Sequence, residues 1–483
     1  MKNILNHNIP FEKYFEEISR IPRGSGNEGW IAQYLIQFAK DHNLRFYTDS
    51  LNNVVIYKQG SPGYEKEPPV IMQAHMDMVC VKEPDCDHDF YRDPLDLVLE
   101  GNILRANGTS LGADNGTGVA TILALLSQDI ACPPIEAFFT ASEEAGMKGA
   151  AGFDYTQLTG RRMIAMDSGG ENHSSVNAAA CETVRLTLPV RRESLFGPVV
   201  HIHINGLLGG HSGSCIDMER YNAIKIATEL MREYIRHGIK LRIAGLDAGT
   251  VTNAIPTSCD LSLGCDSIEQ LEALTEAYTN RLRQDIGNDD PGLTVVLESF
   301  SDSVSAVCQE DTRRLLDLLT LLPTGRRHKS TRIAGFTTAS SNLGTACLYG
   351  DTVCIGFSMR ANTELKLTVL EDEVSTIARL MGATLEQLDK TPCWEYQPHS
   401  AMRAKAAALM PAVMGVPLVE EYEHGGLECG YFASHIPGLD IYVIGPVGRE
   451  VHSTKEWLDL ESAHRVYNFL VQYLAHLKAD EID

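Results

Sequence analysis

The sequence predicts an α/β protein in two parts: a two-segment domain built on a mixed sheet flanked by helices, and an inserted α+β domain that is duplicated. Three observations predict this. Strand-length apolar runs alternate with amphipathic helical stretches through residues 8–185. Near residue 186 the rhythm changes to strand-helix-strand-strand-helix-strand. After residue 395 the first rhythm returns. The expected boundaries are therefore 1–185 and 396–483 for the two segments, and 186–395 for the insertion.

PFEKYFEEISRI and EGWIAQYLIQFAKDH carry apolar residues at helical spacing on either side of a Gly-rich break. LRFYTDSLNNVVIYKQ reads as two strands around a Leu-Asn-Asn turn. Residues 69–79 are almost continuously apolar, as expected of a buried central strand. GTGVATILALLSQD is a helix with Asp114 and Asn115 near its start, followed by strands at 135–141 and 162–167. In the insertion, HIHINGLLGGHSG is an alternating strand running into a Gly-rich loop. YNAIKIATELMREYIRHG is amphipathic, LRIAGLDAG and NAIPTSCDLSLGCD are strands, SIEQLEALTEAYTNRLRQDIG is a helix, and LTVVLESF is a strand. A similar order recurs: helix TRRLLDLLTLLP, two strands within 333–362, and helix LTVLEDEVSTIARLMGA. The resumed first pattern consists of helix MRAKAAALMPAVMG, strand LDIYVIGP and a terminal helix from Asp459.

Formal charge is −23 over 483 residues, which argues against nucleic acid or an anionic membrane as partner. The 12 cysteines form no Cys-x-x-Cys pair, and reduced, buried thiols are expected. The N-terminal stretch lacks a signal-peptide core and no apolar run is long enough to span a bilayer, so cytoplasm is the expected location. No Gly-x-Gly-x-x-Gly follows the early strands, and no P-loop is present.

The chemistry is concentrated at element ends. His75 and Asp77 end one strand, Glu143 and Glu144 follow another, and Asp167 follows a third. Asp114 begins a helix, and His452 comes much later in GREVHSTKEW. Carboxyl ends of strands in an open α/β sheet converge on one crevice, so these groups suggest a metal site, and their spacing suggests two metals. Each has a structural alternative when taken alone. His-x-Asp can be a surface pair, and Glu-Glu a solvated face. Asp114 can be a helix cap, Asp167 can begin a turn, and His452 can be an exposed loop residue. Asp77 is placed to orient His75, as carboxylates behind metal-binding histidines do. One of Glu143 and Glu144 can ligate a metal while the other serves as a base.

Taken together, HMDMV, GADNG, SEEAGMKGA, MDSGG and VHS resemble the M20-type metallopeptidases over nearly the whole chain. LLGGHSG, the long insertion and HGGLECG look closest to the aminoacyl-histidine dipeptidase branch, also called cytosolic nonspecific dipeptidases. The resemblance implies a zinc-peptidase-like catalytic domain with an inserted lid. It implies two divalent ions, zinc first and cobalt or manganese as substitutes, bridged by Asp114. His75 and Asp167 would complete one site, and Glu144 and His452 the other. Glu143 would be the general base that activates water between the ions, with Asp77 behind His75. His211 would stabilise the oxyanion from the lid. Asn253 and Arg360 would hold the substrate carboxylate, and Arg suits this because its planar fork binds carboxylates bidentately. Glu428 would meet the free amino group, although a structural loop acid is an equal alternative. Ser340 and Asn342 occupy comparable places in the second lid half without an assigned role. The implied activity is hydrolysis of dipeptides, Xaa-His included, by a homodimer. The alternatives are an N-acyl amino acid deacylase or carboxypeptidase of the same family, and a non-catalytic metal-binding relative.

Overall fold

The computed structural model describes residues 3–195, 197–300 and 304–478. The chain divides into two compact units. The first comprises Met1–Asn177, Tyr396–Tyr422 and Leu427–Asp483; the second comprises Ala178–Glu395 and Glu423–Gly426. The sequence reading set the first boundary at 185/186. The strand Ala180–Pro189 lies in the second unit because it pairs along its whole length with Thr352–Ala361. Residues 423–426 also join that unit. The Asn362 amide donates to the Glu423 carbonyl at 2.6 Å, and the Ala179 N–H to the Gly425 carbonyl at 2.8 Å.

The first unit is built on a six-stranded mixed sheet in the order Arg45–Thr48, Val54–Lys58, Ile135–Thr140, Val70–His75, Arg162–Ala165, Asp440–Val443. The last four strands are mutually parallel, and Val70–His75 and Ile135–Thr140 are buried at every residue. Burial on both faces explains why these two read as continuous apolar runs rather than alternating ones. The helix Ala113–Ser127 is apolar around nearly its whole circumference and is buried accordingly. Gly118 permits its close approach to the sheet, since a Cβ there would lie 2.7 Å from the Met166 Cβ and 2.8 Å from the Ala74 Cβ. One core unites this helix, the sheet and the helices Pro10–Ser19, Gly29–Asp41 and Leu460–Ala475.

The second unit contains the expected duplication, in a nested form. Its main sheet runs Thr294–Phe300, Val199–Asn205, Cys259–Gly264, Arg242–Ala248, Thr337–Tyr349, Thr352–Ala361, Ala180–Pro189, Thr384–Thr391. Counted in chain order, 199–205, 242–248, 259–264 and 294–300 stand in the order 4-1-3-2 from one edge. Strands 180–189, 337–349, 352–361 and 384–391 stand in the same order from the other edge. Each set brackets two helices: Ala223–Arg236 with Ile268–Ile286, and Gln309–Leu321 with Glu364–Met381. The first module is thus inserted after the first strand of the second, whereas the sequence pattern suggested two modules in tandem. The modules meet where Asp247 and Ala248 pair with Cys347 and Ala346. Asn222 reinforces this seam. Its side-chain Oδ1 accepts from the N–H groups of Ile224 and Lys225 at the helix start, while its side-chain Nδ2 donates to the Leu343 carbonyl at 2.9 Å.

Candidate metal centre

The first unit gathers acids and histidines at the carboxyl edge of its parallel strands. His75 is the last residue of Val70–His75, and Asp77 follows it. Glu143 and Glu144 leave Ile135–Thr140 through Ser142, whose φ is 53°. Asp167 lies just beyond Arg162–Ala165. Asp114 belongs to the first turn of Ala113–Ser127 but has the extended angles φ −83° and ψ 111°. Its side chain therefore leaves the helix line and caps nothing there. His452 sits in the loop between Gly448–Arg449 and Trp457–Asp459, two short strands that pair with each other.

These side chains converge. Asp114 Oδ1 lies 3.0 Å from His75 Nε2, and Asp114 Oδ2 lies 3.3 Å from His452 Nε2. His452 Nε2 also lies 2.8 Å from Glu144 Oε1. His75, Asp114 and Asp167 form one group whose ligand atoms lie within 4.8 Å of one another, and Asp114, Glu144 and His452 form a second. His75 with Glu143 and Glu144 forms a third. On the far side of the His75 ring, Nδ1 faces Asp77 Oδ1 at 3.5 Å. Asp77 is fully buried and accepts from the Ser25 hydroxyl at 2.7 Å and from the Glu143 and Glu144 N–H groups at 3.0 and 3.2 Å. One carboxylate thus backs the histidine and anchors the backbone of both glutamates. A cavity of about 140 Å³ adjoins Asp114 and Asp167, and one of about 700 Å³ reaches Glu144 past Ser25, Met78 and Phe90.

So many buried acids must be neutralised. Burial, with Asp114 beside it, pushes Asp167 up to about 7. Burial also raises Glu143 well above the carboxylate range; His75 opposes this, while Asp167, Glu428 and Glu144 add to it. Hydrogen bonds to Asp114 and Glu144 raise His452 to about 10. Burial disfavours charge on His75, but Asp114 and Asp77 outweigh it and hold the ring well above its usual value. Burial would likewise raise Asp114, yet His452 and His75 hold it well below the usual range. Protons therefore do here what a cation would do. Two imidazole nitrogens and three carboxylates in overlapping groups fit a pair of divalent ions with mixed nitrogen and oxygen ligands.

Glu428 lies in the same unit at 2% exposure. Its Oε2 accepts from Gln73 and from Thr140, both at 2.6 Å, while Oε1 is buried without a hydrogen-bond partner. Burial is the main cause that pushes this acid up to about 8.

The residues expected to select substrate lie on the second unit. His211 and Asn253 are adjacent because Gly210–His211 pairs with Ala254–Ile255, and the Ser212 N–H donates to the Asn253 carbonyl at 2.8 Å. Asn342 fixes that loop by donating to the carbonyls of Thr252 and Ala254 at 2.9 and 2.8 Å. Arg360 is 7% exposed and forms no ion pair among the described residues. Its one side-chain hydrogen bond among the described residues is Nη2 to His211 Nε2 at 3.4 Å, and its Nε has no hydrogen-bond partner there. Burial and this guanidinium keep His211 below its ordinary pKa. Ser340 pairs across the strands with Arg360, and its hydroxyl lies 2.7 Å from His424 Nε2. His424 Nδ1 lies 2.8 Å from Asn362 Oδ1. Burial, then Arg360, pushes His424 down to about 3, so a neutral chain lines the guanidinium.

Sequence reasoning passed over four residues: His424 and Asn362 here, and in the first unit Arg23, which donates to the carbonyls of Met76, Asp77 and Gly112, and Glu456, which accepts from the N–H groups of Leu111, Gly112, Ala113 and Asp114. Glu456 offered a signal, since it follows His452 by four positions in VHSTKE. Arg23 offered none, because only the fold brings it beside residues 76–77 and 112.

Peptidase family M20/M25/M40 matches residues 71–476. The chain is 28% identical over 475 residues to the cytosol non-specific dipeptidase of Escherichia coli (strain K12), covering 97% of this chain and 98% of that protein. The crystal structure of aminoacylhistidine dipeptidase from Vibrio alginolyticus is similar at a TM-score of 0.87 and 29% identity, covering 98% of this chain and 97% of that one. A tripeptidase from Staphylococcus aureus, at 15% identity and a TM-score of 0.56 over 98% of this chain and 99% of its own, shares the fold.

Proposed function

The chain belongs to Peptidase family M20/M25/M40 and hydrolyses dipeptides in a metal-dependent reaction, and we propose that it does so with two divalent ions to which Asp114 would be the shared ligand. His75 and Asp167 would complete one site, and Glu144 and His452 the other. Zinc suits these donors best, and cobalt or manganese can substitute. The observation that carries this reading is that the two oxygens of Asp114 face Nε2 atoms of different histidines, at 3.0 and 3.3 Å.

When bound, the ions would polarise the scissile carbonyl and acidify a captured water. The protein's own residues do the rest. Asp77 keeps the His75 proton on Nδ1 and leaves Nε2 free to ligate. Glu143 takes the proton from the attacking water and delivers it to the leaving amine. Its main chain is held by Asp77, which fixes where the carboxylate swings from. His211 donates to the carbonyl oxygen as it becomes negative. Nε2 of that ring faces Arg360, and Nδ1 faces the Gly213 and Ser214 N–H groups at 3.3 Å. The ring's own proton therefore has no acceptor among the described residues, and a substrate oxygen supplies one. Arg360 binds the substrate carboxylate with help from Asn253, and its missing acidic partner supports this role. Glu428, expected at the substrate amino group, has only Oε1 to offer.

In this reading the first unit is the catalytic domain and the second its lid. The substrates are dipeptides, Xaa-His among them, and the protein is a cytoplasmic homodimer. No described helix is long and apolar enough to cross a membrane. The test is hydrolysis of Xaa-His dipeptides, tripeptides and N-acyl amino acids before and after chelation. Dipeptide cleavage that chelation abolishes and zinc or manganese restores is expected. Full activity after complete metal removal refutes the mechanism, and preferential cleavage of N-acyl amino acids would select the deacylase alternative.

A further inference from the structure

Glu456 is 3% exposed and makes no ion pair among the described residues. Its carboxylate is nevertheless fully used. Oε2 accepts from the N–H groups of Leu111 and Gly112 at 2.7 and 2.9 Å. Oε1 accepts from Ala113 at 2.8 Å and from Asp114 at 3.3 Å. These are four consecutive amides, and the last belongs to the residue that faces both histidines. Glu456 stands four residues after His452. The intervening turn is held by its own bonds, from the Ser453 hydroxyl to the Glu450 carbonyl at 2.7 Å and from the Glu456 N–H to the Ser453 carbonyl at 3.3 Å.

Arg23 holds the same segment from its other side. It is 1% exposed, and Nη1 donates to the carbonyls of Met76 and Asp77 at 3.2 and 3.0 Å, while Nη2 donates to the Gly112 carbonyl. Gly112 thus gives its N–H to Glu456 and its carbonyl to Arg23. It has φ +64°, and a Cβ there would lie 2.5 Å from Arg23 Nη2 and 2.7 Å from Met78 Sδ, so only glycine fits this junction. The peptide at 111–114 is clamped between a buried anion and a buried cation. The anion belongs to the segment of His452, and the cation binds the segment of His75 and Asp77.

We propose that Glu456 and Arg23 are positioning residues that fix the segment bearing Asp114 relative to those bearing His75 and His452, and so set the ligand geometry. This rests on the two-metal reading above. Neither side chain belongs to the groups that could hold a metal ion. Charge-assisted bonds to backbone N–H groups are the strong class of hydrogen bond, and four of them on one carboxylate leave the segment little freedom. Losing the carboxylate would leave buried N–H groups unsatisfied beside the bridging ligand.

The test uses the full-length protein, stripped of metal, and zinc alone as probe. Glu456→Gln keeps size and shape but turns a donor toward one pair of amides. Outer partners of metal ligands typically contribute about 10–100-fold in metal affinity. A loss of that size is expected by zinc titration, together with a lower kcat, an unchanged KM for a dipeptide, and a circular dichroism spectrum like that of the wild type. Glu456→Asp, which keeps the charge but is one methylene shorter, is expected to fall between the two. Unchanged zinc affinity in folded Glu456→Gln overturns the proposal. If that variant does not fold, Arg23→Lys, which keeps the charge but cannot reach three carbonyls, is titrated against the same criterion. Wild-type protein that binds no zinc would overturn the two-metal reading itself. Wild-type protein that binds two ions, with a variant equal to it, overturns this inference alone.

Discussion

Arg360→Met separates binding from stability. Arg360 is buried at 7% exposure with no acidic partner among the described residues, and a buried charge without a counterion is destabilising. Methionine of similar length removes that burden, so the melting temperature of the variant should equal or exceed that of the wild type. Substrate binding should move the other way. Truncating one partner of a buried, hydrogen-bonded charge pair costs about 2–5 kcal/mol, or roughly thirty- to several-thousand-fold in kcat/KM at about 1.4 kcal/mol per decade. The assay is a cycle of four measurements: wild type and variant, each on a dipeptide and on its C-terminal amide. The amide should be a poor substrate for the wild type, and the variant should hardly distinguish the two. His211 supplies an independent readout. Burial and the Arg360 charge both hold its pKa down, so removing the cation should raise its titration midpoint toward the ordinary imidazole value. A variant that still prefers the free acid by the wild-type factor, or that melts several degrees lower, refutes the reasoning.

Glu143→Gln should reduce turnover to background while metal content measured by elemental analysis stays near wild type; near-normal kcat would remove it as base. His211→Ala should lower kcat by about 10²–10³-fold, the usual effect of losing one oxyanion donor, with zinc affinity unchanged. If its kinetics match the wild type, the ring has no part in the reaction. Metal uptake by the stripped protein at pH 7 should release about two to three protons, because ligands must deprotonate to bind. His452, raised to about 10, and His75, also raised, hold protons there, and Asp167 near 7 holds about half of one. The release should fall as pH rises through 7, when Asp167 is already ionised, and fall again toward 10. Calorimetry in buffers of different ionisation enthalpy measures it, and uptake without proton release would contradict the charge balance.

What the sequence disclosed follows from how far each signal extends along the chain. Residues 69–79 and 135–141 read as central strands because burial on both faces makes a strand continuously apolar, and this placed His75, Glu143 and Glu144 at strand ends. The nested lid modules were harder to see. The strand Ala180–Pro189 alternates buried and exposed residues like any edge or half-covered strand, and its module resumes more than a hundred residues later. Reading in order therefore assigned it to the preceding domain. Arg23 was invisible for a similar reason. A lone arginine after a helix has a surface reading, and only folding brings the carbonyls of residues 76, 77 and 112 around it. His424 was passed over inside HGGLECG because the acid of that motif drew attention; its partners Ser340 and Asn362 lie 84 and 62 residues away.

The two units carry opposite charge imbalances, and each imbalance identifies a ligand by what it lacks. In the first unit Asp77, Asp114, Glu143, Glu144 and Asp167 crowd two histidines, and protonation of Asp167 and Glu143 stands in for positive charge. In the second unit Arg360 has no acidic partner among the described residues, and the side chains beside it, His211 and His424, are both held toward the neutral form. A fold selected for stability alone would pair such groups within each unit, since unpaired buried charges are among the costliest features a protein can keep. A divalent cation would answer the first imbalance, and an organic carboxylate is what we propose for the second.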